Sequence, residues 1–184
     1  MAYPKLERAI EFALRAHAGH YRSGESALPY IFHPIDVVSK LWRLGGIRNE
    51  DVLAAGVLHD VLEDTLTTPE ELAREFGPHT ARWVGQLTRR RPGETEIADS
   101  GGTRRELEFA LLLEDLRQME PEAQAVKLSD RLSNLSESET TREREVTQRY
   151  AREALEMLKI VGPDLVPGLR RELETLARRL ATES

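Results

Sequence analysis

One imidazole and three carboxylates fall within six residues of an otherwise apolar stretch: His59, Asp60, Glu63 and Asp64. Residues 52–57 before them are nearly all apolar, so this segment reads as a central, buried helix. Burying several ionisable groups there costs many kcal/mol unless a metal ion or a partner compensates them. On a continuous helix, His59 lies one turn before Glu63, and Asp60 one turn before Asp64. The spacing favours two metal ligands followed by two acid–base groups; a solvated helix end is the alternative.

A second polar set follows helical spacing further along the chain. Lys127, Asp130, Arg131 and Asn134 lie at i, i+3, i+4 and i+7, so they share one helix face. Taken alone, this pattern is typical of a solvated face. With the first segment it completes a group of two imidazoles and two carboxylates on three predicted helices: His33, His59, Asp60 and Asp130.

Such a donor set suits a borderline or hard divalent ion, namely Mn²⁺, Fe²⁺ or Zn²⁺. An ion with an open coordination position lowers the pKa of water and neutralises charge on a phosphoryl group. Glu63 and Asp64 would then orient that water or deprotonate it as a general base. The residues therefore indicate metal-assisted attack of water on a phosphoryl group.

Helical periodicity runs through almost every segment that must position these groups. Asn49 is a predicted N-cap of the central helix, which we expect to run through Asp64. Thr68 and Thr103 begin two later helices, the second ending near Met119. On the helix that Pro34 opens, the predicted inner face consists of Ile35, Val38, Leu41 and Leu44. The fold class predicted is all-α, a multi-helix bundle of roughly eight or nine helices.

Length and composition limit the classes of protein to consider. A chain of 184 residues is expected to form one domain with a core of its own. The absence of cysteine excludes disulfides and thiolate metal sites. The net charge of −6 argues against non-specific nucleic-acid binding. Because the sequence shows neither a signal peptide nor a membrane-spanning apolar run, we expect a cytoplasmic protein without a membrane partner.

Four motifs, in this order, resemble those of the HD-domain hydrolases of RelA/SpoT-type alarmone enzymes, including the stand-alone small alarmone hydrolases: His17-Ala-Gly-His-Tyr-Arg22, Pro29-Tyr30-Ile-Phe-His33-Pro34, His59-Asp60-Val-Leu-Glu63-Asp64-Thr65 and Lys127-Leu-Ser-Asp130-Arg131-Leu-Ser-Asn134-Leu135. The His-Asp dipeptide alone is weak support, but the joint occurrence of the motifs in this order is specific. The resemblance covers roughly residues 5–160 and implies a single HD phosphohydrolase domain over residues 1–184.

The resemblance also implies the roles of particular residues. The family's metal ligands, for a metal that is typically Mn²⁺, fall on His33, His59, Asp60 and Asp130. Its catalytic acidic pair falls on Glu63 and Asp64. Its substrate-binding positions fall on Arg22, which would pack on a guanine base, and on Lys127 and Asn134, which would contact phosphate and sugar.

The reaction implied is hydrolysis of the 3′-pyrophosphate of ppGpp or pppGpp, giving GDP or GTP and pyrophosphate. A guanine nucleotide alarmone is then the partner, and no oligomeric state is implied. Since no synthetase domain fits within 184 residues, we expect degradation only. Two alternatives stay open: a hydrolase of the same superfamily acting on another nucleotide or dinucleotide, and a non-catalytic nucleotide sensor. The acidic pair argues against the sensor, because a pure binder needs no groups that activate water.

Several positions depart from the family pattern and concern the substrate. His20 and Ser23 stand where Gln and Lys are usual, and Ser136 and Glu137 where Arg and Thr are common. The loss of two cations and the added charge of Glu137 are expected to weaken the binding of a pyrophosphate. Three arginines at the start of the loop from Arg89 to Gly102 could supply phosphate contacts instead, or form a solvated loop.

Overall fold

The computed structural model describes residues 3–22 and 28–182, and every regular element within those ranges is a helix. The helices are α1 (Pro4–Ala16), α2 (Phe32–Arg43), α3 (Glu50–Leu58), α4 (Val61–Asp64), α5 (Pro69–Phe76), α6 (Pro78–Leu87), α7 (Glu94–Ser100), α8 (Arg104–Gln118), α9 (Pro121–Thr141), α10 (Arg144–Ile160) and α11 (Pro167–Thr182). Tyr21 and Pro29 form an isolated antiparallel bridge. The all-α class is confirmed.

Eleven helices in the described ranges exceed the eight or nine expected, for two reasons. The central helix does not continue through Asp64, because the backbone turns at His59 and Asp60 and separates α3 from α4. The loop from Arg89 to Gly102 also contains α7, a seven-residue helix with no buried residue. The turn directs the side chains of His59 and Asp60 to one point instead of along a helix face.

Helix α3 lies at the centre of the core because its sequence is apolar on all sides. Every residue from Val52 to Leu58 is buried. The helix contacts α1, α2, α6 and α9. Gly56 permits the close approach of α2, since an added Cβ would lie 2.9 Å from Leu41 Cδ1. Two of the metal-binding candidates, His59 and Asp60, therefore directly follow a helix that is buried from Val52 to Leu58.

The predicted inner face of α2 is wrong in part. Ile35 is 43% exposed, whereas His33, Val37 and Leu41 are buried. These three residues are spaced four apart and face α3 and α9. The side of α2 that packs against the core is therefore one that begins with a histidine. Periodicity of apolar residues alone did not indicate that face.

Local capping signals agree with the structure. The side chain of Asn49 accepts hydrogen bonds from the backbone of Asp51 and Val52 at the start of α3. Thr68 caps α5, and Thr103 caps α8 in a capping box with Glu106. None of the helices in residues 3–22 and 28–182 has both the length and the apolar composition of a membrane-spanning segment.

Candidate metal centre and cleft

Four donor atoms from three parts of the fold converge at one point. His33 Nε2 of α2 lies 3.2 Å from His59 Nε2 and 3.2 Å from Asp130 Oδ1 of α9. Asp60 Oδ2 lies 2.9 Å from His59 Nε2 and 3.8 Å from His33 Nε2. Both imidazoles and Asp130 are buried, and His59 is only 1% exposed. The sequence-predicted set is thus brought together, with its donor atoms facing one another.

The geometry of three of these residues, His33, His59 and Asp60, fits a single divalent ion, because one ligand atom from each lies within 4.8 Å of the other two. Two atoms bound at about 2.1 Å to one metal stand roughly 3–4 Å apart, which is the range of these donor–donor distances. His59 Nδ1 lies 2.9 Å from the Gly56 carbonyl oxygen and must donate to it, because a carbonyl only accepts. In the neutral imidazole of His59 the lone pair is then on Nε2, which faces the centre, as a metal ligand requires.

The electrostatics of the cluster also favour a bound cation. Burial alone would raise the pKa of Asp60 and Asp130, yet the pKa of both carboxyls lies well below the usual value. Asp60 is held low chiefly by His59, and Asp130 chiefly by Lys127, whose Nζ lies 3.4 Å from Asp130 Oδ2. Burial would lower the pKa of His59, but Asp60 and Asp130 raise it to about 9. In metal-free protein a proton on His59 therefore supplies the positive charge that the carboxylates attract.

This proton gives a testable pH dependence of the metal-free fold. The pKa of His59 is about 9 in the folded chain against 6.5 for an ordinary histidine. The protonated His59 therefore stabilises the folded state fully below pH 6.5, and this stabilisation is lost as the pH rises through 9. We expect the free energy of unfolding in EDTA to fall by up to about 3 kcal/mol over that range. Urea unfolding at several pH values measures it.

Two histidine variants test whether His59 causes this pH dependence. His59→Ala should lose this pH dependence, whereas His79→Ala should keep it, because His79 is exposed on α6. A free energy of unfolding that does not change between pH 6.5 and 9 in the wild type would contradict the assignment.

The acidic pair Glu63 and Asp64 lies on α4, immediately after the turn that carries Asp60. The Glu63 side chain is 8% exposed, and its Oε1 lies 3.1 Å from Arg89 Nε and 3.5 Å from Arg91 Nη2. Asp64 is exposed, and partial burial together with the charges of Asp60 and Glu63 raises the pKa of its carboxyl. The two carboxylates thus differ: one is fixed by arginines, and the other is open to solvent with a raised affinity for protons.

Arg22 is held beside the cluster by the pairing of two short segments. Its backbone N–H donates to Leu28 O, and Tyr30 N–H donates to His20 O, which closes the loop between them. Its guanidinium donates from Nε to Glu137 Oε1 at 3.0 Å and pairs with Oε2, and it lies 5.6 Å from the Tyr30 ring centre. Ser23, one of the positions that depart from the family pattern, lies outside the described residues.

Lys127 and Asn134 contact the same carboxylate from α9. Asn134 Nδ2 donates to Asp130 Oδ1 at 2.5 Å, and Asn134 Oδ1 accepts from Arg22 Nη2 at 2.9 Å. Lys127 is only 6% exposed. Asn134 therefore connects Arg22 to the metal-binding candidate set, while Lys127 faces that set directly.

All of these site residues except the deeply buried His59 line one cleft of about 700 Å³. That volume suits a nucleotide-sized ligand. Among the described residues, nine cations line the cleft against seven carboxylates, although the whole chain is acidic. The nine are Arg22, Arg89, Arg90, Arg91, Arg104, Arg105, Lys127, Arg131 and Arg142. Sequence reasoning assigned no role to Arg104, Arg105 and Arg142, which lie on distant segments and carry no motif.

Tyr30 also had no predicted role beyond its place in a motif. Its hydroxyl donates to Asp60 Oδ2, and its ring packs on His17 with centres 4.6 Å apart. His17 is buried, and its Nδ1 lies 3.4 Å from His20 Nδ1. Burial lowers the pKa of His17 to about 4, so this imidazole is neutral near pH 7. Tyr30 thus fixes the orientation of Asp60 from above the cluster.

Comparison with known proteins gives three consistent results. Residues 9–158 match the family model described as HD domain. A guanosine-3′,5′-bis(diphosphate) 3′-pyrophosphohydrolase of Aquifex aeolicus is 34% identical over 94% of this chain, which spans only 23% of that protein. The Homo sapiens protein of the same enzyme name is 32% identical over 96% of this chain and 92% of its own length.

Solved structures agree with the sequence comparison. One described as a metazoan ortholog of SpoT that hydrolyses ppGpp superposes with a TM-score of 0.81 at 25% identity, covering 95% of this chain and 94% of that chain. A protein of Listeria monocytogenes superposes with a TM-score of 0.62 at 26% identity over 82% of this chain.

Proposed function

The chain belongs to the HD-domain family, and from this membership we propose that it is a metal-dependent hydrolase that removes pyrophosphate from the 3′ position of guanosine 3′,5′-bis(diphosphate). The observation that carries the proposal is a convergent two-histidine, two-aspartate cluster at the edge of an arginine-lined cleft. The two relatives named for this activity support the substrate.

The metal-binding candidates would hold one divalent ion, for which we propose Mn²⁺, with Fe²⁺ or Zn²⁺ as alternatives. When bound, the ion supplies charge neutralisation at the scissile phosphoryl group and lowers the pKa of water. We propose that Glu63 and Asp64 orient this water and take up its proton. The raised pKa of Asp64 makes it the better proton acceptor, and the arginine-bound Glu63 the better orienting group.

Recognition of the nucleotide is proposed for cleft residues beside the metal-binding candidates. Arg22 would offer its guanidinium face to the guanine base, and Lys127 and Asn134 would contact phosphate and sugar. Among the described residues no carboxylate pairs with Arg105 or Arg142, so both cations are available for the phosphates. These arginines could compensate for the cations missing at positions 23 and 136.

A single experiment tests the substrate. We expect purified Mn²⁺-loaded protein to release GDP and pyrophosphate from ppGpp, measured by ion-exchange chromatography of the products. GDP itself is the matched control and should remain intact, because it has the 5′-diphosphate but no 3′-pyrophosphate. If the protein leaves ppGpp intact while cleaving NADPH or another nucleotide, the family assignment stands and the substrate assignment fails.

The extent of the domain, the cellular location and the absence of a nucleic-acid or membrane partner are proposed as well. We propose one HD phosphohydrolase domain over residues 1–184, which the core shared by the described helices other than α7 supports. We also propose a cytoplasmic location, where a small nucleotide substrate is present. Neither a nucleic acid nor a membrane is proposed as a partner, since the cleft is sized for a small molecule and the net charge is −6.

A further inference from the structure

A chain of hydrogen bonds leads from the second nitrogen of His33 away from the candidate metal centre. His33 Nδ1 lies 3.2 Å from Ser133 Oγ. Ser133 Oγ donates to Asp36 Oδ2 at 2.6 Å. The Asp36 carboxylate pairs in turn with Lys40, one helical turn further on. This series of hydrogen bonds thus joins α2 to α9 through one serine hydroxyl.

Ser133 differs from the hydroxyl residues that follow it on α9. Ser136, Ser138 and Thr141 donate to carbonyls of their own helix, which is the usual arrangement. Ser129 also bonds across to α2, but it donates to the Val37 carbonyl at 2.7 Å and does not reach the site. Among these hydroxyl residues of α9, Ser133 is the one that joins a second side chain to a metal-ligand candidate.

The positions of the protons follow from the chemistry of the four groups. Although burial raises the pKa of Asp36, hydrogen bonds from Lys40 and Ser133 lower it below the usual value. The carboxylate is therefore ionised and can only accept. Since the hydroxyl proton of Ser133 goes to Asp36, its oxygen must accept from His33. The proton of the imidazole is then on Nδ1, and its Nε2, which faces His59 and Asp130, is free to bind a metal.

We propose that Ser133 and Asp36 are positioning residues of the metal centre, which fix the tautomer and orientation of His33. The proposal rests on the proposed function, because it needs a metal at this site. His59 shows the same arrangement with a backbone partner, the Gly56 carbonyl. That carbonyl cannot be removed by substitution, whereas the partner of His33 is a side-chain network that can be.

The test measures the affinity of the protein for the metal alone. Loss of an outer partner of a ligating histidine costs about 10- to 100-fold in metal affinity. We expect Ser133→Ala to raise the Kd of Mn²⁺ by that factor, measured by electron paramagnetic resonance of free Mn²⁺, with Zn²⁺ measured by chelator competition. Asp36→Ala should raise it in the same direction, because the free hydroxyl can then donate to His33 Nδ1. Ser133→Thr keeps the hydroxyl and should restore most of the affinity.

Ser129→Ala is the control that distinguishes the positioning of His33 from the packing of α9 on α2. Ser129 is fully buried on the same helix and bridges to α2, but it does not contact His33. Both alanine variants should lose similar thermal stability without metal, about 2–4 °C for each kcal/mol. Only Ser133→Ala should lose metal affinity. Asp36 has a side chain that is 45% exposed, so Asp36→Ala is expected to fold even if the serine variant does not.

The outcomes distinguish this inference from the proposed function. If wild-type protein binds Mn²⁺ or Zn²⁺ and both Ser133→Ala and Asp36→Ala bind it equally well, the positioning role is wrong and the metal centre stands. If the wild type binds neither ion, the metal centre is wrong and the positioning role with it. A loss of affinity in Ser129→Ala as large as in Ser133→Ala would also overturn the inference, because packing alone would then explain the loss.

Discussion

Asp130→Ala should bind no stoichiometric metal and should have no measurable hydrolytic activity, while keeping the fold. Asp130 Oδ1 lies 3.2 Å from His33 Nε2 and 3.7 Å from His59 Nε2, so its removal opens one side of the donor set. We expect the loss of metal affinity to exceed the roughly 100-fold that an outer partner costs, because a direct ligand is removed. Metal content after gel filtration and release of pyrophosphate from ppGpp measure the two effects.

A carboxylate elsewhere on α9 provides the control for this variant. Glu139 pairs with Arg179 on α11, with Oε1 2.7 Å from Nη1, and does not line the cleft. Glu139→Ala should therefore keep both metal and activity. Circular dichroism and thermal unfolding should show that both variants fold. Full metal content or full activity in Asp130→Ala would remove Asp130 from the site.

Glu63→Gln should lower kcat about 10²- to 10⁴-fold and leave the metal content unchanged. Glutamine has the shape of glutamate but neither its charge nor its ability to accept a proton. The side chain is 8% exposed and is held by Arg89 and Arg91, so the substitution leaves two arginines without their carboxylate and a water without its orienting group. Steady-state kinetics with ppGpp and metal analysis of the same preparation test the prediction.

Glu114→Gln is the matched control for Glu63→Gln. Glu114 pairs with Arg90 of the same arginine run, at 2.6 Å, but it does not line the cleft. It should retain wild-type kcat. If wild type and Glu63→Gln bind the nucleotide equally and neither hydrolyses it, the protein is a sensor and the acidic pair has no catalytic role.

Local features of the fold followed from the sequence because short-range chemistry decides them. Asn49, Thr68 and Thr103 accept hydrogen bonds from the first turn of the helix that each begins, and neighbours in sequence supply every donor. The all-α class and the grouping of His33, His59, Asp60 and Asp130 also followed, from periodicity and from the order of the motifs. The roles of these residues remain predictions.

Features that depend on how helices face one another did not follow from the sequence. Ile35 lies on the exposed side of α2, because the register of that helix is set by contacts with α3 and α9. The turn at His59 and Asp60 interrupts a stretch that the sequence predicts as one continuous helix. Ser133 and Asp36 are 97 residues apart in sequence, and only the packing of α2 on α9 brings them together.

The pairing of Arg22 with Glu137 gives a structural role to Glu137, which stands where the family commonly has Thr. As an extra negative charge in a phosphate site, Glu137 would repel the substrate. Instead, it occupies the edge of the Arg22 guanidinium through two donors, and Asn134 accepts a third hydrogen bond. These contacts use three of the five N–H donors of the guanidinium and leave the two on Nη1. The proposed contact of Arg22 with a guanine base would therefore use a flat face of the guanidinium, because Glu137 already occupies the edge formed by Nε and Nη2.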